Sequence, residues 1–223
     1  MILIAQTYTQ LRIYFSVATK CIEEQTTMTP KQEERIRNKI ARIRKELAAD
    51  KKRWGGFYDD SRGLRYLPPE QFIKLRDYKG GLRYLRWFNR TFPDDSGYPI
   101  FLFEWTLILF KTGNLKEAEK KALQTFFANN YLFDKFLGKE LIIIEKGASS
   151  NWETAELAEN LKYSQSDPEF ADFGEWLESF QTSEKFYKFA NELIEIEKKL
   201  STEPVGETRT ELVYRRRRLI DEQ

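Results

Sequence analysis

Apolar positions along this chain recur mostly at helical spacing. Before the turn Lys111-Thr112-Gly113-Asn114, the residues Phe101, Trp105 and Leu109 fall on one face, with Leu102 and Phe110 beside them. After it, Leu115, Ala118, Ala122 and Phe126 repeat the pattern. Gly113 and Asn114 tolerate the left-handed conformation that ends a helix, so residues 94–130 predict two antiparallel helices. A small Ala118 opposite Trp105 lets their axes approach. An earlier pair is predicted from a short helix after Pro68 and Pro69, a turn at Arg76-Asp77, and a second helix through Leu82, Leu85 and Phe88 that ends at Phe92-Pro93.

Other elements follow the same logic. Thr29-Pro30-Lys31-Gln32 has the form of a capping box and predicts a helix to about residue 54, broken by Gly55 and Gly56. Its seam, Ile36, Ile40, Ile43 and Leu47, either docks on the hairpins as a capping helix or pairs with a copy of itself. Leu11, Ile13, Phe15 and Val17 alternate with polar residues as in a strand, although 1–27 also fits a short helix. With Met28 just before a well-formed helix start, 1–27 is expected to be an upstream extension. Past Asn130, a helix is predicted from Tyr131 to Gly138, and Leu141, Ile142, Ile143 and Ile144 as a buried segment. Further helices are expected from Ser150 to about Tyr163, from Asp167 through Phe180, from Ser183 to near Pro204, and from Thr208 through an arginine-rich end.

Asp-Asp-Ser occurs at 59–61 and again at 94–96, and Leu75-Arg76-Asp77-Tyr78-Lys79-Gly80-Gly81 aligns with Thr112-Gly113-Asn114-Leu115-Lys116-Glu117-Ala118. Together with Trp105, Glu117-Ala118 and the closing Pro93, these residues resemble the tetratricopeptide repeat. The resemblance implies an all-α fold, a right-handed stack of antiparallel helical hairpins forming a tetratricopeptide-like solenoid, capped by the basic N-terminal helix. With the elements above, four regions are expected: the extension 1–27, the basic helix 28–56, the hairpin domain 57–204 and the arginine-rich helix 205–223. In that family the first helix of each repeat lines a concave surface that receives a peptide or partner helix. By the alignment Lys74 and Lys111 are equivalent, as are Tyr66 and Phe103. They would give a groove with an aromatic floor and a basic rim, suited to an acidic peptide or a C-terminal carboxylate. The family's peptide-clamping asparagines are replaced here by Glu70 and Leu107, which argues against chaperone-tail binding. Alternatively Phe103 belongs to the core and both lysines are solvated.

Composition narrows the chemistry. The 223 residues contain no histidine and one cysteine, Cys21. Ser-His and Cys-His nucleophilic arrangements are therefore excluded, and zinc sites nearly so. No catalytic role, cofactor or metal is expected, and Asp59-Asp60 and Asp94-Asp95 are read as helix caps in preference to a carboxylate active site. A single cysteine, no signal-like start and no apolar run long enough for a membrane point to a cytoplasmic monomer or weak dimer.

Charge is segregated although the net is only +2. Residues 31–53 hold ten Lys or Arg against four acids, and 153–197 hold twelve acids against three lysines. The leading expectation is a non-catalytic protein-interaction module with a protein or peptide partner of acidic character. The alternative is nucleic-acid binding through Arg35 and Arg42 of the basic helix and Arg215 and Arg216 of the C-terminal run, with Trp54, Tyr58 and Tyr66 as stacking platforms.

Overall fold

The structure, a computed structural model, describes residues 28–58, 62–144, 146 and 150–222. The strand-like stretch near the N-terminus, Cys21 and Asp59-Asp60-Ser61 lie outside the described residues. Among the described residues the regular structure is entirely helical. The chain divides into two compact units, 1–41 and 42–223.

In the first unit the expected capping box is formed. Thr29 N–H donates to Gln32 Oε1 at 2.8 Å, and Gln32 N–H donates to Thr29 Oγ1 at 3.3 Å. Helix α1, Pro30–Arg53, starts there and continues into the second unit. Within the second unit its seam residues Ile43 and Leu47 are buried. It ends where Gly55 and Gly56 take positive φ angles.

The second unit is built around two hairpins. Helices α2 (Pro68–Lys74) and α3 (Tyr78–Thr91) form the first, and α4 (Pro99–Lys111) and α5 (Leu115–Ala128) the second. Their turns have the same backbone geometry. Asp77 and Asn114, the residues before α3 and α5, sit at φ/ψ of −87°/62° and −87°/61°. Gly113, with φ 74°, matches Arg76, with φ 54°. Each turn closes with the same two hydrogen bonds: Arg76 N–H to Ile73 O and Asp77 N–H to Phe72 O, then Gly113 N–H to Phe110 O and Asn114 N–H to Leu109 O. This is a Schellman ending, in which the left-handed residue lets two orphan carbonyls be satisfied. Gly81, at the place of Ala118, also has a packing reason: a Cβ there would lie 2.9 Å from Ile108 Cδ1 and 3.3 Å from Phe72 Cβ.

Helix α4 departs from a one-sided pattern. Nine of its thirteen residues are buried, so it must be covered on more than the α5 side. The second cover comes from later chain. After α6 (Leu132–Phe136), residues 139–144 run without helix, and Ile142 and Ile143 are exposed rather than buried. The helix expected from Ser150 to Tyr163 is reduced to one turn, α7 (Ala155–Ala158). Residues 161–170 then lead into α8 (Ala171–Gln181), which packs on α4. Around fully buried Phe103 gather Phe133, Phe136, Tyr163 and Phe173, with ring centroids 5.3–6.3 Å away. Helices α9 (Glu184–Thr202) and α10 (Glu207–Asp221) pair with each other and both reach α5. Ser183 caps α9 as expected, accepting from Phe186 N–H at 3.2 Å.

Candidate functional site

The groove expected on the first helices of the hairpins is filled by the chain itself. Lys111 Nζ lies 2.5 Å from Asp172 Oδ1 and donates to the Glu169 carbonyl at 2.5 Å. Glu169 also meets Arg76 Nε at 2.7 Å and accepts from Tyr78 Oη at 2.5 Å. Lys74 and Lys162 both reach Glu70 Oε1, at 2.7 and 2.8 Å. Burial raises the Glu70 carboxyl, but hydrogen bonds from Lys162 and Lys74 outweigh it and the net pKa is lowered.

Beneath these pairs Tyr163 stacks on Phe103 and donates its hydroxyl to Glu104 Oε1 at 2.8 Å. Burial lifts Glu104 to about 8, with Glu70 adding to the rise and the Tyr163 hydrogen bond opposing it. Phe103 therefore lines no open surface, and Lys111 is bound to residues 169–172, which corrects the expected aromatic floor and basic rim. Tyr66 is held elsewhere. Its hydroxyl donates to Asp95, whose carboxylate also accepts from Gly97 N–H and meets Arg65 Nε at 2.8 Å. Burial, ahead of the Arg65 and Asp95 contacts, pushes Tyr66 up to about 12. Asp95 thus clamps the 65–97 corner; the residue before α4 is Tyr98, which makes no side-chain cap.

The cations proposed for nucleic acid are partly engaged as well. Arg215 meets Glu192 at 2.8 Å, and Arg216 sits between Glu197 at 2.5 Å and Glu153 at 3.0 Å. Arg42 is 3.9 Å from Glu46, and Arg35 is exposed.

Among the described residues the opposite side of the hairpins is open. A cleft of about 570 Å³ lies between α3 and α5, with Trp105 and Leu109 of α4 in its lining. Arg86 and Arg90, one turn apart on α3, line one wall, and Lys120 and Lys121 of α5 the other. None of the four is ion-paired with a described residue, and Glu117 is the only acid lining the cleft. Lys121 is half-buried, its ammonium 3.8 Å from the centre of the Trp105 ring and 2.5 Å from Gln124 Oε1. Burial first, and then the neighbouring charge of Lys120, lowers Lys121 to about 8.

Two further clefts continue this one. Toward the hairpin turns, a cleft sharing Leu82 and Arg86 carries Arg76, Lys79, Arg83 and Lys111. At the other end, one sharing Lys120 and Lys121 carries Asp94, Asp221, Phe127 and Trp152.

Sequence reasoning placed its groove on the first helices and did not single out the α3/α5 cleft. A signal for this cleft existed: 78–91 contains four Lys or Arg and no acid, so its cations have no helical partner at i±3 or i±4. Among the described residues no three His, Cys, Asp or Glu stand where they could hold a metal ion, and no helix is long and apolar enough to cross a membrane. Compared with protein-family models, with curated proteins and with solved structures, the chain matches none.

Proposed function

We propose that the chain is a non-catalytic interaction module, a tetratricopeptide-like arrangement of helical hairpins, that receives an acidic peptide in the α3/α5 cleft. The observation that carries this is the set of four cations, Arg86, Arg90, Lys120 and Lys121, facing one cleft without carboxylate partners among the described residues. Grouped cations raise one another's energy, and an anionic ligand relieves that repulsion while steering encounter. The shared turn geometry at 75–77 and 112–114 supports repeated hairpins.

An acidic peptide suits the cleft better than single-stranded nucleic acid. A stacking platform needs a free aromatic face, whereas Lys121 lies over the Trp105 ring, and Phe88 and Phe101 meet that ring edge-on.

The test is fluorescence anisotropy with a labelled peptide of alternating Glu and small residues, titrated with wild type and with Arg86→Glu/Arg90→Glu. Salt-sensitive binding lost in the variant supports the proposal. No binding by wild type even at low salt would overturn it.

A further inference from the structure

We infer that the α3/α5 cleft reads a phosphorylated serine or threonine in its partner, set between acidic residues on one side and apolar residues on the other. This rests on the peptide-binding reading above and names its ligand chemistry.

The cleft's lining sums to four cations, Arg86, Arg90, Lys120 and Lys121, against one carboxylate, Glu117. One glutamate of a partner would leave most of that excess uncompensated. A phosphate monoester carries about −1.5 to −2 charge and three strong acceptor oxygens. Its oxygens diverge, so one group can meet guanidinium donors from α3 and ammonium donors from α5 together. The two walls supply these two donor types, the arginines from one and the lysines from the other.

Lys121 is the least exposed of the four cations. It is half-buried, rests on Trp105 and has only the neutral Gln124 as a hydrogen-bond acceptor. The groups around it are Lys120, Glu117 and Gln124 on its own helix, Arg86 and Arg90 on α3, and Asp94, Asp95, Glu153 and Asp221 in the adjoining cleft, of which Asp95 is held by Arg65 and Glu153 by Arg216. With cations nearest in sequence and on the facing helix, a dianion restores its charge.

The flanking clefts set the rest of the motif. The one toward the hairpin turns presents Lys79 and Arg83, neither ion-paired with a described residue, and takes acidic residues. The other presents Phe127 and Trp152 among four acids, Asp94, Asp95, Glu153 and Asp221, and takes uncharged, apolar ones.

The experiment compares three labelled peptides of one frame, acidic on one flank and apolar on the other, with phosphoserine, Glu-Glu or Gln at the centre. The Glu-Glu peptide matches the charge of the phosphate without its geometry. Phosphoserine is expected to bind about tenfold tighter than Glu-Glu. Lys121→Met should lose about tenfold for the phosphopeptide alone, and Lys121→Arg should retain it, with melting curves confirming that both variants fold. Wild-type affinity should fall between pH 7 and 9 as Lys121 loses its proton, and the arginine variant should hold its affinity over that range. Equal binding of phosphoserine and Glu-Glu would overturn this inference while leaving the acidic-peptide reading intact. No binding of any peptide would overturn both. Displacement of the phosphopeptide by an unstructured oligonucleotide at equal charge concentration would overturn both in favour of nucleic acid.

Discussion

Two sides of the same pair of hairpins carry comparable charge and use it differently. On the α2/α4 side, Lys74, Arg76, Lys111 and Lys162 each meet a carboxylate within 2.8 Å, contributed by Glu70, Glu169 or Asp172. On the α3/α5 side, Arg86, Arg90, Lys120 and Lys121 meet none among the described residues. The first side is closed by residues 161–176, whose aromatic rings enter the core and whose acids lie over the lysines. The second is not closed in this way among the described residues. Cations already matched within a fold contribute to its cohesion, whereas unmatched cations converging on a cleft are available to a partner.

The largest effect expected on the closed side comes from Phe103→Ala. Removing a fully buried ring that touches four others should destabilise the fold by about 3–5 kcal/mol, read from urea denaturation. An effect below about 1 kcal/mol would mean that the α8 segment does not seal α4.

Next is Glu104. Its folded pKa, raised to about 8, lies above the unfolded value, so between the two the folded state holds a proton that the unfolded state has released. Stability should therefore fall as pH rises from about 5 to 8. Glu104→Gln, which keeps an acceptor for Tyr163, should abolish this slope and add roughly 3 kcal/mol at pH 7. Parallel pH profiles for wild type and variant would show that Glu104 is not buried as described.

Gly81→Ala comes third. Its new Cβ would press on Ile108 and Phe72, costing about 1–3 kcal/mol. Gly113→Ala has open space but a left-handed φ, and should cost about 1 kcal/mol from the backbone alone. If the two melting temperatures fall equally, close helix approach is not what requires Gly81.

The smallest stability effect belongs to the open side. Arg86→Glu/Arg90→Glu, both exposed, should change stability by less than about 0.5 kcal/mol in denaturation.

Much of the helical scaffold was legible because local chemistry fixes it. Thr29 and Gln32 cap α1, Gly113 ends α4, Ser183 starts α9, and the seven-residue alignment of 75–81 with 112–118 corresponds to two superposable turns. What covers α4 was not legible. Phe103 reads equally as groove or core until the position of Tyr163, sixty residues later, is known. Ile142 and Ile143 look buried by composition, yet among the described residues both are exposed. The short α7 shows the same limit: Asn129 Nδ2 donates to the carbonyls of Trp152 and Thr154, a distant tie that holds 151–154 in a turn ahead of a single helical turn. As for the site, Lys74 and Lys111 of the sequence alignment were expected to meet an acidic partner, but the carboxylates beside them are the protein's own. The acid-free composition of α3 is the sequence feature behind the arginines of the α3/α5 cleft.

Hydrogen exchange with and without the phosphoserine peptide tests the central claim most directly. The account predicts added protection in 79–90 and 116–127, with 70–76, 103–111 and 161–172 unchanged. Protection or loosening confined to 103–111 and 161–172 would mean that the partner displaces the chain's own acidic segment, and would contradict the assignment of the open side as the binding surface.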